Sequence, residues 1–112
     1  MFKYTKLYIV KSGEGFCGLV GTPTGILTAY KEELCVGDTI EYFFGQDRHD
    51  VMSGVITKVN GRFKIDGCHE IIDLYLTRII KHYMDLKIGD KIGYGLFEVK
   101  KYEENMEKDS IL

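Results

Sequence analysis

Tryptophan is absent from this chain of 112 residues, proline occurs once, and no stretch stays apolar for long. A membrane helix needs about 18 consecutive apolar residues, so no transmembrane helix is expected. The opening Met1-Phe2-Lys3-Tyr4-Thr5-Lys6 is charged but is followed by no apolar stretch long enough for a secretion signal. Cysteine is sparse. Three residues, an odd number without framework spacing, fit a reducing compartment better than a disulfide scaffold. The cytoplasm is therefore the expected location. A large excess of one charge is also missing. The formal net charge is −2, which weighs against a chain that lives on nucleic-acid backbone, because phosphate contacts require a positive surface. A local basic patch is compatible with that balance.

Glycine is what the chain has in quantity, with 13 residues, and the apolar and charged fractions are ordinary for a globular domain. The length suits one domain with a modest core. Residues 1–102 are expected to form it, with 103–112 as a charged, frayed tail. One phrase occurs twice. Leu34-Cys35-Val36-Gly37-Asp38-Thr39-Ile40-Glu41-Tyr42 is echoed by Leu86-Lys87-Ile88-Gly89-Asp90-Lys91-Ile92-Gly93-Tyr94. Gly-Asp between β-branched residues marks a tight turn feeding a strand.

Alternation supports strands elsewhere. Residues 3–11 place Tyr4, Lys6, Tyr8 and Val10 on one side and Thr5, Leu7 and Ile9 on the other. Ser12–Gly15 turns the chain, and Phe16–Val20 returns as a hairpin. Ile26–Tyr30 reads as a strand or a helical turn. Val51–Val59 is a strand, Asn60-Gly61 is the signature of a type I′ hairpin, and Arg62–Asp66 returns with Phe63 and Ile65 inward. Over 70–84, Ile72, Tyr75/Leu76, Ile79/Ile80 and Tyr83 recur at helical spacing. A short helix around 70–83 is expected there, with a strand within 76–83 as the alternative. Leu96–Lys100 makes a last strand. Short strands with turn signals every ~8–12 residues predict a mainly β fold, a small barrel or sandwich.

Several residue groups invite a chemical reading. Gly13-Glu14-Gly15-Phe16-Cys17-Gly18 has G-x-G-x-x-G spacing, which suits a backbone cradle for phosphate. Gly21, Pro23 and Gly25 forbid the helix that a dinucleotide fold needs next, so the plain reading is a glycine-rich hairpin. Gln46-Asp47-Arg48-His49-Asp50 gathers two carboxylates, a guanidinium and an imidazole, either as an acid–base or ligand site or as a solvated loop. Cysteine and histidine lack the paired spacing of structural zinc, so neither a metal nor another cofactor is expected. Tyr4, Tyr8, Tyr42, Phe43, Phe44, Tyr94, Phe97 and Tyr102 serve either the core or, with Lys3, Lys6, Lys58, Arg62 and Lys64, a stacking groove for single-stranded nucleic acid.

Gly37-Asp38-Thr39-Ile40, Gly54-Val55-Ile56 and Gly61-Arg62-Phe63 follow one another behind the lead-in Gly21-Thr22-Pro23-Thr24-Gly25-Ile26. That order resembles the small phage and prophage proteins of the YopX type, over residues 21–66. The resemblance implies a small Src-homology-3-like (SH3-like) β-barrel and a phage or mobile-element origin, in the cytoplasm of a bacterial host. It brings no catalytic residues. The leading expectation is a non-enzymatic accessory protein that binds a protein partner, such as a host defence or regulatory factor, through Tyr42, Phe43 and Tyr94. The alternative is a nucleic-acid or nucleotide-binding barrel using Gly13, Gly15, Phe16 and Gly18, with Asp47, Arg48 and His49 as further ligand contacts. A small hydrolase built on Asp47, His49 and Asp50 is a third class. Open strand edges and surplus aromatics are compatible with a homodimer.

Overall fold

The computed structural model describes residues 6–13, 15–43, 51–71 and 78–102. Among the described residues the strands are β1 (Lys6–Lys11), β2 (Gly15–Leu19), β3 (Pro23–Leu27), β4 (Glu33–Cys35), β5 (Thr39–Phe43), β6 (Val51–Val59), β7 (Arg62–Ile65), β8 (His69–Glu70), β9 (Arg78–Lys81), β10 (Lys91–Ile92) and β11 (Phe97–Tyr102), with a 3-10 turn at Tyr83–Asp85. The fold is mainly β, and among the described residues there is no α-helix. All pairings are antiparallel. One sheet runs β10-β11-β1-β2, a second runs β8-β7-β6-β5-β9, and β3 and β4 make a two-stranded ladder. Among the described residues these sheets do not close into a barrel. The expected tail at 103–112 lies outside the described residues.

In β1 and β11 alternation selects what is buried, whereas in the centre of β6 both faces are covered. Ile9 in β1 pairs with Val99 in β11 and both are buried, whereas their neighbours Tyr8, Val10 and Lys100 are more exposed. Ile40, Val55, Ile56, Ile65 and Phe97 join them in one core with Leu34 and Val36. Gly18 shows how close the two larger sheets come. A Cβ placed there would stand 3.1 Å from the Lys58 backbone nitrogen in β6 and 3.1 Å from Val36, at a φ of +114°. Glycine is needed at that crossing because backbone meets backbone. Asn60-Gly61 has the two positive φ angles, 52° and 78°, of the expected type I′ turn. Thr57 is buried beside that hairpin, donating its hydroxyl to Lys64 O and accepting the Gly67 N–H.

Where the segment expected to be helical is described, residues 78–81 take the strand alternative, and Tyr83 begins the short 3-10 turn. Arg78–Lys81 is strand β9, with Ile79 opposite Ile40 and Arg78 opposite Glu41. Ile79 packs on the core while Ile80 is exposed, which is a period of two. Residues 72–77, the middle of that expectation, lie outside the described residues. Tertiary pairing with β5 overrides the helical spacing, as it readily does for β-branched residues.

Both Gly-Asp phrases build the same turn. The Asp38 N–H donates to Cys35 O and its Oδ2 accepts the Cys35 N–H; Asp90 repeats both bonds with Lys87. Gly37 donates to Ile56 O and Ile56 donates to Asp38 O, just as Gly89 and Asp90 bracket Val99. The glycines take φ angles of 100° and 91°, open only to glycine at low cost. Asp38 differs in one respect. Its Oδ1 also accepts the Tyr83 N–H at 2.8 Å, tying the first turn to the lead-in of the second. Removing a carboxylate that satisfies two backbone N–H groups costs about 1–3 kcal/mol for each one left unpaired in the interior. Asp38→Ala is therefore expected to destabilise the fold by about 2–6 kcal/mol, and Asp90→Ala, with one exposed bond, by about 1 kcal/mol or less. Urea unfolding of the two variants checks the order.

Candidate functional site

The hairpin of β10 and β11 carries the most exposed aromatic side chain among the described residues. Lys91 pairs with Glu98 and Ile92 with Phe97, so Gly93–Leu96 is the connecting loop, closed by the Leu96 N–H on Gly93 O. Tyr94 sits at its tip, 88% exposed, with a φ of 59°. Its hydroxyl lies 3.2 Å from Ser53 Oγ in β6, which holds the ring across the gap between the two large sheets. Leu96 in the same loop and Val51, two residues before Ser53 on its face, are also exposed.

Tyr42 occupies the matching place in the first phrase and is only 4% exposed. It pairs with Met52 within the sheet and packs in the core, so it is not the contact residue that the sequence suggested. The local cause is the residue before it. Glu41 continues the strand, whereas Gly93, with a φ of 60°, turns the chain. Phe43 ends β5 opposite Val51, and its side chain lies outside the described residues. So do Asp47, Arg48, His49 and Asp50.

Gly13, Gly15, Phe16 and Gly18 belong to the β1–β2 hairpin, where Lys11 pairs with Gly15 and Val10 with Phe16. Gly18 is buried at the sheet crossing and faces β6 rather than solvent. The three glycines therefore do not converge on one concave cradle. Phe16 is 52% exposed and stacks on Tyr8, the ring centroids 5.6 Å apart at 30°.

Two features had no signal in the sequence. A groove of 310 Å³ is lined by Ile26, Gly61, Arg62, Phe63, Glu70 and Ile71. The Lys58 ammonium lies over the Phe63 ring at 5.2 Å. The second feature is the surroundings of Asp38, a residue only 1% exposed. Burial pushes its carboxyl above the ordinary 3.8; the Cys35 and Tyr83 N–H groups and nearby His82 pull the other way, and Glu32 adds to the rise. His82 Nε2 is 3.8 Å from Glu32 Oε2. Burial, then Asp38, then Glu33 push the neighbouring Cys35 thiol upward, the opposite of what a nucleophilic thiolate requires. Among the described residues no group of three His, Cys, Asp or Glu is placed to hold a metal ion, and no helix is long and apolar enough to cross a membrane.

The raised Asp38 carboxyl has a definite sign in stability. Between the unfolded value near 3.8 and the higher folded value, the native state binds more protons than the unfolded one. Its contribution to stability is therefore greatest below that window and falls as pH rises through it. The stability of the wild type minus that of Asp38→Asn is expected to fall over this range and flatten above it, in urea titrations at stepped pH. The chain matches no family model, and neither a curated protein nor a solved structure is similar to it.

Proposed function

We propose that this chain acts without catalysis, by binding another protein, and that Tyr94 is its leading contact. The way the fold presents that side chain carries the reading. An L-residue in the left-handed region costs about 1–2 kcal/mol, and a bulky one there is an outlier. Gly93 and Gly95 on either side adopt positive φ as well, so glycine at position 94 would serve the turn at less cost. Strain retained in an exposed loop points to use. Tyrosine is among the residues that dominate protein interfaces, since it brings a large rigid surface with a polar tip. Leu96 in the same loop and Val51, two residues from Ser53, are exposed apolar side chains as well.

The resemblance of residues 21–66 to phage proteins of the YopX type supports a partner in a bacterial host, a defence or regulatory factor. The same resemblance favours an SH3-like arrangement of the sheets. Immobilised wild-type protein is expected to retain a discrete host protein from lysate. Tyr94→Gly is expected to lose at least about tenfold in affinity for it, as for an interface hot spot. The same variant is expected to change stability by about 1 kcal/mol or less, because relief of the positive φ offsets the loss of the exposed Ser53 bond and the added chain entropy. Equal capture by wild type and Tyr94→Gly would remove Tyr94 from the interface and this reading with it.

A further inference from the structure

The outer face of the β10-β11-β1-β2 sheet takes no part in that reading. The register arranges it in rows. Lys91, Glu98, Val10 and Phe16 stand side by side across the four strands, and Lys100, Tyr8 and Leu19 form the next row, with Lys6 beyond. The alternate residues Ile9, Phe97 and Val99 are buried on the opposite face. The centre of the outer face is the stacked pair of Tyr8 and Phe16. Lys6, Lys91 and Lys100 are exposed around it. Glu98 is the one carboxylate among the described strand residues of this face. On a chain of net charge −2, this grouping of lysines with aromatics is not a consequence of a basic composition.

We propose that this face binds single-stranded nucleic acid, with bases stacking on Phe16 beside Tyr8 and phosphates met by Lys6, Lys91 and Lys100. Unpaired bases offer flat π faces to aromatic rings on an open sheet, and the backbone supplies the negative charge that the lysines match. A duplex hides those base faces within its own stack. A second copy of this chain on the same face would set lysines against lysines, and like charges placed opposite one another are unfavourable. The glycine-rich spacing of Gly13–Gly18 acquires a different meaning here. It shapes the hairpin that carries Phe16 and does not itself hold phosphate.

Labelled oligothymidylate and oligouridylate of about twenty nucleotides, in fluorescence anisotropy titrations, test this directly. Binding of either or both supports the proposal and tells whether the sugar is read. Three neutralised phosphates give a slope of about −2 in log affinity against log salt. Phe16→Ser is expected to weaken binding by about tenfold, the loss of one stacked base. Lys6→Gln with Lys100→Gln is expected to flatten the slope to about −0.7. Tyr94→Gly is expected to leave these titrations unchanged, which separates this face from the protein contact. No binding of either oligonucleotide at about 50 mM salt would overturn the proposal. So would affinity indifferent to both Phe16→Ser and the lysine pair, or a dimer in sedimentation that Phe16→Ser dissociates.

Discussion

The Asp38 carboxylate accepts the N–H of Cys35 within its own turn and that of Tyr83, 45 positions later. Much of the structure is arranged by that second bond. It fixes the residues leading into the second Gly-Asp phrase against the first, so that Leu86 and Tyr83 pack over Gly37, each 3.1 Å from where a Cβ would stand. It also holds β9 near β5, since β9 ends two residues before Tyr83. Taking a carboxylate out of water is unfavourable, and the upward shift of its protonation equilibrium records this. The charge is tolerated because backbone donors replace water on both oxygens.

The two Gly-Asp turns are the same object used twice, down to the side-chain bond from aspartate to the residue three before it. Past the turn they part company. The first phrase runs on into a strand that buries Ile40 and Tyr42. The second buries Ile92 and then bends at Gly93, leaving Tyr94 in solvent. One phrase thus builds core and the other builds a projecting loop. Ile88 and Val36 show the same split, the first exposed and the second buried. A repeat in sequence is a repeat of local geometry, and burial depends on what lies opposite each copy.

The two proposed contact regions differ in physical kind. Tyr94 is a single strained side chain on a loop, steadied by Ser53 from a strand in the other large sheet. The Tyr8–Phe16 face is a sheet surface built on four paired strands, and its spacing is set by the pleat. The first suits insertion into a pocket, the second repeated stacking along a flexible strand. Glycine contributes to both without touching a ligand, through the bend at Gly93 and through the crossing at Gly18 that lets β2 lie against β6.

The strands over 51–59 and 62–65, the Asn60-Gly61 turn between them and both Gly-Asp turns were legible in the sequence, because alternation and turn chemistry are local. The helical spacing over 70–84 misled where Ile79 and Ile80 stand, since a few apolar residues satisfy either period until a neighbouring strand claims one of them. The pairing of Val10 with Glu98 and of Tyr8 with Lys100 brings distant parts of the chain onto one face, and no spacing along the chain reports it. Nor could the phrases reveal that Tyr42 is buried and Tyr94 exposed. Where the chain turns and which residues alternate follow from residue order alone. Which face of each strand meets another sheet and which meets water follows from how the elements pack, because burial is a property of pairs of elements and not of either one alone.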